Sequence, residues 1–386
     1  MNENLENKKE VSVSFLAVDQ YIVDNIVKPI EKEYKDKGFV YWGEYNDYPD
    51  YLDNLYKNVS TLKSIIDGLS DYICGDEIIV NDSIYSKMIN QKGHTIQDII
   101  KYISKDLGKY NGFALNIVKN RFGKIAEIYY LDFKKVRSNK EGTKFYYSKD
   151  WEKSAGRVKY IEYNSFFTEE GQKSANTIFY YKNDINSTYP YPIYGSSVIA
   201  CEIEKLIDEY HINLVHNGFS SNYIVNFNNG KPTDNQKEEI EENFYDKFTG
   251  VENSGRPLLC FNNSKVNETT ITKIETDNFA DKYNALAERS QQQIFTAFRC
   301  SPILFGIDQQ KTGFNANEYA SAFKLFNKTI VEPYQNVIKK SFDKIFDAED
   351  FIIFKPFTIN FERDGDQEVE NITEINHLKD DILEIN

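Results

Sequence analysis

The clearest hydrophobic pattern occupies two stretches that flank a polar segment in the C-terminal part of the chain. Residues 277–299 contain no glycine or proline, and their apolar positions recur at the three- and four-residue spacing typical of a helix. Pro302 ends this pattern, because the residue before a proline is pushed out of the helical region. A second helical pattern covers residues 317–346, with Asn315 and Glu318 forming a predicted capping pair. The residues that follow in steps of three and four on one face of this helix are Tyr319, Phe323, Phe326, Ile330, Tyr334, Val337, Ser341 and Ile345.

Two features interrupt these helices. Pro333 lies inside the second pattern, where it removes a backbone donor and crowds the preceding turn, so we expect a kink there. Between the two patterns, residues 307–316 read IDQQKTGFNA, a polar stretch in which Gly313 permits unusual backbone conformations. Taken alone, this stretch predicts an ordinary surface loop.

The first half of the chain mixes both periodicities. Residues 59–73 and 96–107 have helical spacing, and residues 42–49 form an aromatic loop rich in turn-forming residues. Residues 112–181 change to alternating apolar and polar positions, which predicts antiparallel strands. Glycines mark the predicted turns between them, at Gly123, Gly142, Gly156 and Gly171.

The second half predicts a helix over residues 195–218, ending at Gly218, and then a compact insert. The predicted elements of the insert are strands at 223–227, 257–261 and 270–274 and a helix at 233–248. After the long helix, residues 351–361 alternate as a strand interrupted by Pro356, and residues 366–385 predict a polar helix or a frayed end. The fold class predicted is α+β.

Composition and charge exclude several classes of protein. The chain has 386 residues, enough for two or three cores, with no apolar run long enough for a membrane span and no signal-peptide pattern at its start. Its four cysteines are scattered without a C-x-x-C pair, which indicates reduced, mostly buried thiols in a cytosolic protein. The formal net charge of -14 argues against tight, sequence-independent binding of DNA. The cysteines are Cys74, Cys201, Cys260 and Cys300.

Candidate catalytic groups do not form a convincing centre. The stretch before Lys311 resembles a phosphate-binding loop only superficially, because Gln310 stands where that motif needs glycine and a helix precedes it. His211 and His216 are five positions apart and do not share a helical face, and Ser196 lies at a helix start, where serine usually caps. Carboxylates are numerous, but no tight Asp/Glu constellation with a lysine lies on adjacent strands, as a two-metal nuclease would need. We therefore predict no enzyme, no cofactor and no metal site.

Three matches in order make the chain resemble the portal proteins of tailed bacteriophages. One is the S-P-I-L-F-G turn at residues 301–306, followed by a polar loop, the N-E-Y of residues 317–319 and the T-I-V-E-P of residues 329–333. Another is Y-P-Y-P at residues 189–192 leading to Y-G-S-S, where the family often has proline in place of Ser197. The third, in residues 110–137, is a strand, a turn near Asn120 and Gly123, and a second strand that ends in Lys134, Lys135 and Arg137. Each match is short, so their order carries the resemblance.

The resemblance implies a portal-protein fold with an α/β wing, long stem helices, a small α/β clip insert and a kinked C-terminal helix after a tunnel loop. The sequence departs from the fuller pattern at the C-terminal crown, which is larger in many portals than the short one expected here. The implied regions are a wing (1–195), a first stem helix (196–218), a clip (219–276), a second stem helix (277–303), a tunnel loop (304–316), a long kinked wing helix (317–346), and a C-terminal strand with a short crown (347–386).

The function implied is a ring-shaped channel, usually of twelve subunits, through which double-stranded DNA is packaged and ejected at one capsid vertex. An acidic wall suits such a channel, because it repels the duplex evenly, whereas ion pairs to phosphates would slow it. The ring is a homo-oligomer in the virion, assembled in the host cytoplasm, and its implied partners are the terminase large subunit, a tail or neck adaptor and the major capsid protein, with no membrane. The residues expected to line the channel at the tunnel loop are Gln309, Gln310, Lys311, Thr312, Gly313 and Asn315.

The predicted clip helix supplies the second candidate site. Its carboxylates predict a solvated helix face, but in a portal they would engage basic partner surfaces. They are Glu238, Glu239, Glu241, Glu242 and Asp246. Two alternatives remain open: another phage head or neck structural protein with a similar helix pair, and a metal-dependent phage nuclease.

Overall fold

In the computed structural model of the chain, helices occupy the stretches of three- and four-residue spacing and strands occupy most of the alternating ones. The structure describes residues 26–34, 38–151, 158–216, 223–226, 233, 235, 270–273, 279–307 and 316–358. Within these ranges the α-helices are α1 (Tyr48–Asn58), α2 (Ser60–Cys74), α3 (Ile96–Tyr110), α4 (Glu169–Lys173), α5 (Val198–His216), α6 (Phe279–Phe298), α7 (Ala316–Phe326) and α8 (Glu332–Phe346).

The largest sheet contains six strands: β4 (Gly112–Lys119), β5 (Ile125–Leu131), β6 (Val136–Ser138), β7 (Lys144–Tyr147), β8 (Ile161–Ser165) and β9 (Asn176–Lys182). Their order in the sheet is β5-β4-β9-β8-β7-β6. All its neighbours pair antiparallel except β8 and β9, which are parallel and joined through the short helix α4. The antiparallel prediction is therefore wrong at this one pair, and Gly171 lies in α4 rather than in a turn.

Three two-stranded sheets complete the described strands. They are β1 (Glu31–Glu33) with β2 (Val40–Trp42), β3 (Glu77–Val80) with β12 (Ile352–Lys355), and β10 (Tyr223–Asn226) with β11 (Thr270–Lys273). The pairing of β10 with β11 brings together the two flanks of the predicted insert. The pairing of β3 with β12 joins the first part of the chain to the last.

The core lies where α2 packs against α3, which in turn packs against β4 and β5 of the sheet. The face of α2 predicted from its spacing is fully buried, and α3 is opened by a capping box in which Thr95 and Asp98 cap each other's backbone N–H. Burying five aliphatic side chains of one helix stabilises the fold by roughly 1.5–3 kcal/mol each. The buried face consists of Leu62, Ile65, Ile66, Leu69 and Ile73.

Helices α5 and α6 pack against each other and form the longest helix pair in the described structure. Tyr210 of α5 and Tyr283 of α6 meet with ring centroids 4.5 Å apart. Not every apolar position in the pattern is buried, because Leu286 is 41% exposed. Ser197, which directly precedes α5, donates its hydroxyl to the carbonyl of Tyr194 at 3.2 Å.

Residues 316–346 are helical throughout but not uniformly α-helical. A π-helical turn, Asn327–Val331, separates α7 from α8, and the N–H of Glu332 donates to the carbonyl of Asn327. Pro333 follows in the first turn of α8, where a missing backbone donor is tolerated. The irregularity expected at Pro333 thus lies in the turn before it, so the proline begins a helical segment instead of breaking one.

Residues 110–137 differ in one respect from the prediction. The second strand, β5, ends at Leu131 and not at the basic residues that follow. Phe133–Lys135 form a 3₁₀ turn, and Arg137 lies in the next strand, β6. The Arg137 guanidinium is fully buried, donates to the carbonyls of Lys134, Val136 and Asn46, and lies over the ring of Trp151 at 5.0 Å.

Candidate functional site

Residues 301–307 form a tight turn between α6 and the polar segment. Pro302–Phe305 is a single 3₁₀ turn that opens with proline, whose ring fixes φ at a helical value. The turn ends at Gly306, whose φ of 78° is the left-handed conformation that glycine adopts most easily. The N–H of Ile307 donates to the Pro302 carbonyl at 3.2 Å. The backbone is therefore hydrogen-bonded up to the residue that precedes the 308–315 segment.

The side chain of Phe305 lies in a slot on α2. Its ring centroid is 6.1 Å from those of Tyr72 and Phe326 and 5.9 Å from that of Phe295. The floor of the slot is Gly68, in the middle of α2, where an added Cβ would come within 2.7 Å of Phe305 Cε1. A contact that short is not tolerated, so any larger residue at position 68 would displace the ring.

One tyrosine of α2 contacts the chain on both sides of the 308–315 segment. The Tyr72 hydroxyl donates to the Leu304 carbonyl at 2.9 Å and lies 3.1 Å from the Tyr319 hydroxyl of α7. Because a carbonyl oxygen only accepts, the single proton of Tyr72 goes to Leu304, and Tyr319 donates the second bond. Burial, followed by the contact with Tyr319, raises the pKa of Tyr72, so its hydroxyl keeps its proton at neutral pH. We call the contacts of Gly68 and Tyr72 with Leu304, Phe305 and Tyr319 the loop anchor.

Helix α2 is held at its N-terminus by a side chain of α5. Its N-cap residue, Val59, supplies no side-chain acceptor. Glu204 takes that role: its Oε1 accepts from Ser60 Oγ at 3.0 Å and from the N–H of Thr61 at 3.1 Å. Glu204 is 5% exposed, and a carboxylate at a helix N-terminus interacts favourably with the helix dipole. This contact joins the pair α5 and α6 to the helix that carries the loop anchor.

The other end of α2 is held by the C-terminal elements. Gln335 Nε2 of α8 donates to the carbonyl of Ile73 at 2.9 Å. The helix ends at Gly75, with φ 63°, and a Cβ there would lie 2.1 Å from the carbonyl oxygen of Lys355. Both ends of α2 are thus fixed by residues distant in sequence, so the helix offers a rigid support to the loop anchor.

A buried carboxyl group lies elsewhere, on α3. Asp106 is 1% exposed, and its Oδ2 accepts from the Tyr130 hydroxyl at 2.9 Å. Its Oδ1 receives no hydrogen bond from the described residues, and Lys109 Nζ lies 3.9 Å away. Burial raises the pKa of Asp106 to about 7, although Lys109 acts in the opposite direction. The contribution of Asp106 to the free energy of unfolding therefore depends on pH. Asp106 is not part of the loop anchor.

The residues predicted for the channel and for the clip lie outside the described residues, so their positions stay predictions. The former are Gln309, Gln310, Lys311, Thr312, Gly313 and Asn315, and the latter are Glu238, Glu239, Glu241, Glu242 and Asp246. The structure does describe both flanks of the channel candidate. It shows that Gly68 and Tyr72, which the sequence interpretation did not single out, contact those flanks.

Neither a metal cluster nor a membrane helix is found in the ranges that the structure covers. No group of three or more His, Cys, Asp or Glu side chains there could hold a metal ion, and none of the helices is both long and apolar enough to span a bilayer. His211 is exposed on α5, while Cys74 and Cys201 are buried free thiols. Cys260 lies outside the described residues.

The fold and the order of its elements agree with comparisons against known proteins. The family model described as "Phage portal protein" matches residues 74–370, more than half of the chain. The chain therefore belongs to the phage portal protein family, a family of structural proteins, as its sequence resemblance predicted. The match begins just after Tyr72, so the loop anchor draws on residues that precede the matched region.

Similar solved structures show the same fold. The neck of a native gene transfer agent particle, computed with C12 symmetry, aligns with a TM-score of 0.53 and 13% identity over 86% of this chain and 88% of that one. The crystal structure of an HK97 family phage portal protein from Corynebacterium diphtheriae aligns with a TM-score of 0.50 and 12% identity over 75% of this chain and 88% of that one. The prediction of an α+β portal fold is confirmed.

Sequence relatives add less. An uncharacterized protein of Rickettsia bellii is 30% identical over 169 residues, which is 43% of this chain and 41% of that protein. An uncharacterized protein of Rickettsia felis is 29% identical over 154 residues, or 39% of this chain and 37% of that protein. The chain thus aligns with less than half the length of these relatives.

Proposed function

We propose that twelve copies of the chain form a ring at one capsid vertex, and that double-stranded DNA passes through the ring when it is packaged and ejected. The observation that carries this proposal is the structural match over 86% of the chain to a particle neck computed with twelve-fold symmetry. Membership of the portal family supports the same role. The ring would belong to the virion and would assemble in the host cytoplasm.

Under this proposal each region has a part in the ring. The wing comprises residues 1–195, and the stem comprises the helices of residues 196–218 and 277–303, which in the structure include the packed pair α5 and α6. Residues 219–276 form the clip, bounded by the antiparallel strands β10 and β11. Residues 304–316 form the tunnel loop, residues 317–346 the long wing helix, and residues 347–386 a C-terminal strand and short crown.

The exposed surface of the stem pair supports contact between subunits. Ile199 of α5 is 60% exposed and Leu286 of α6 is 41% exposed, although both helices bury other apolar positions well. Apolar side chains left on the surface of a helix pair are suited to burial against a neighbouring copy. A ring of identical subunits provides such a neighbour on both sides of each copy.

The tunnel loop would line the narrowest part of the channel. Lys311 gives it one cation per subunit, and Gln309, Gln310, Thr312 and Asn315 offer side chains that exchange hydrogen bonds readily. Contacts of this kind with phosphate oxygens position the duplex without reading its sequence. The net charge of -14 works in the same direction, because repulsion from an acidic protein limits the grip on DNA.

The clip would meet the proteins that dock on the ring. Its predicted helix carries Glu238, Glu239, Glu241, Glu242 and Asp246, which would attract basic surfaces of the terminase large subunit and later of a tail or neck adaptor. The wing would face the major capsid protein.

Electron microscopy and native mass determination on one purified sample test the ring. The expected result is a ring with a central hole and a mass of twelve subunits. A compact closed dimer without a pore would contradict the proposal, and DNA cleavage in the presence of magnesium would favour the nuclease alternative.

The Lys311→Ala variant tests the tunnel loop. It removes the loop cation and should leave ring assembly intact while altering DNA packaging or retention. The control is Lys324→Ala, since Lys324 is exposed on α7 and lies outside the loop. Failure of the Lys311 variant to assemble, or an equal change of packaging in both variants, would count against the assigned role.

A further inference from the structure

Both flanks of the 308–315 segment are held by one helix. Leu304 precedes the segment and Tyr319 follows it, and both contact the hydroxyl oxygen of Tyr72, at 2.9 and 3.1 Å. These two hydrogen bonds share one oxygen atom, so the two flanks cannot separate unless at least one bond breaks. Leu304 is 6% exposed and Tyr72 is 7% exposed, so a broken bond would leave a buried polar group without water to replace the lost partner.

A second contact of the same helix holds the first flank. Glycine inside a helix is unfavourable relative to alanine, so Gly68 needs a reason at the centre of α2. The reason is the ring of Phe305, which occupies the space that a Cβ would take. Phe305 is also packed against Phe326, which lies after the segment. The slot therefore fixes the ring on one helix and ties it to the other flank.

We propose that Gly68 and Tyr72 are the positioning residues of the tunnel loop: by holding Leu304, Phe305 and Tyr319 on a single helix, they set where the loop leaves and rejoins the subunit. The inference rests on the proposed role of the loop in DNA passage. Its physical content is independent of that role, because it states which hydrogen bonds and which ring contact keep the two flanks together. A change in the loop anchor should thus affect DNA passage through the position of the loop and not through the assembly of the subunits.

The first experiment is hydrogen–deuterium exchange on assembled full-length protein. Tyr72→Phe keeps the aromatic contacts and removes only the hydroxyl, so backbone amides of residues 302–307 and 316–323 should exchange about tenfold faster, as expected for losing a buried hydrogen bond. Amides of the six-stranded sheet should be unchanged. The matched control is Tyr102→Phe, which removes a hydroxyl from an exposed tyrosine of α3. Equal exchange in both variants, or a rise spread over the whole protein, would overturn the inference.

The second experiment tests the slot by rescue. Gly68→Ala should speed exchange at the same amides, because the new Cβ displaces the Phe305 ring. Adding Phe305→Leu, which removes the Cε1 atom nearest that Cβ, should return exchange toward the wild-type rate. If Gly68→Ala fails to fold, the double variant still gives a result, because recovery of folding supports the slot. A double variant that is no better than Gly68→Ala would contradict it.

DNA packaging by rings of these variants separates the inference from the proposed function. The expected result is that Tyr72→Phe and Lys311→Ala both alter packaging or retention while Tyr102→Phe does not. If Lys311→Ala alters it and Tyr72→Phe does not, despite faster exchange, the loop has its proposed role but Tyr72 does not position it. If neither alters it while Tyr72→Phe still speeds exchange at the flanks, the role of the loop in DNA passage is overturned, but Tyr72 still holds the two flanks together.

Discussion

Removing the Glu204 carboxylate, which caps α2, should destabilise the protein far more than removing an exposed carboxylate from the same helix, α5. Glu204 is the only described side chain that accepts from the first turn of α2, where it receives bonds from Ser60 Oγ and the N–H of Thr61. In Glu204→Ala both donors lose their partner. The Thr61 amide has no acceptor within its own helix, because it lies in the first turn.

The size of the effect follows from these contacts. A buried donor left without a partner costs about 1–3 kcal/mol, and a carboxylate near a helix N-terminus contributes up to about 2 kcal/mol in a buried setting. Against this stands the cost of burying the carboxylate, whose Oε2 receives no hydrogen bond from the described residues. We therefore expect a net loss of about 2 kcal/mol in the free energy of unfolding for Glu204→Ala. Glu204→Gln keeps an acceptor oxygen and should lose about half of that.

Urea unfolding, followed by the change in helix signal, measures the loss. All variants must be compared at one protein concentration, because association stabilises the folded subunit by mass action. The matched control is Glu209→Ala, which removes the same side chain from an exposed position of α5. The reasoning is refuted if Glu204→Ala lowers stability no more than Glu209→Ala does, or if Glu204→Gln is as damaging as Glu204→Ala.

Two further substitutions test other parts of the fold. The raised pKa of Asp106 means that the folded protein holds a proton that the unfolded chain has lost, so stability should fall as pH rises from about 4 to about 7 and stay low above that. Asp106→Asn should flatten this profile: relative to its effect at pH 4, the substitution should raise the free energy of unfolding at pH 8 by at most about 4 kcal/mol. Urea unfolding at each pH measures the difference, and an unchanged profile would contradict the raised pKa of Asp106. Gly75→Ala places a Cβ against the Lys355 carbonyl in a left-handed backbone and should cost at least about 2 kcal/mol, measured by thermal unfolding, whereas Gly93→Ala, also at positive φ but with open space around it, should cost less.

Local periodicity predicted α2 well because this helix buries one face along its length, whereas the short helix α4 was predicted as a turn at Gly171. The face of α2 was read from spacing alone, and its leucines and isoleucines are fully buried. The helix that became α6 was predicted at residues 277–299 and is observed at Phe279–Phe298. It ends at Phe298, ahead of the predicted stop at Pro302, because Arg299 already adopts a left-handed φ of 54°; Pro302 instead opens the next turn.

Strand pairing between distant segments could not be predicted in the same way. Strand β3 is four residues long, too short to establish an alternating pattern, and its partner β12 lies at the other end of the described chain. The parallel pair β8 and β9 was missed because alternation marks a strand but not its direction. The sequence resemblance supplied what local pattern lacked, namely the order of elements in a known fold.

Side-chain contacts between residues distant in sequence could not be predicted from local pattern either. Tyr72 and Leu304 are 232 positions apart, and Ser60 and Glu204 are 144 apart, so neither contact has a local signal. In isolation Tyr72 is one more aromatic residue on an apolar helix. The one available signal was Gly68, because an isolated glycine inside a helical pattern often marks a close contact.

The pairing of β3 with β12 also bears on how the subunit is made. Glu77 and Lys355 are 278 positions apart, and Tyr72 likewise depends on Leu304 and Tyr319, whereas a ribosome delivers the chain from its N-terminus. Helix α2 is thus synthesised long before the residues that complete its surroundings, and part of its apolar face stays exposed until they are added. A chain released early, short of residue 355, would lack β12 and keep that end of α2 uncovered. Translation past residue 355 is therefore a condition for a subunit in which both ends of α2 are held.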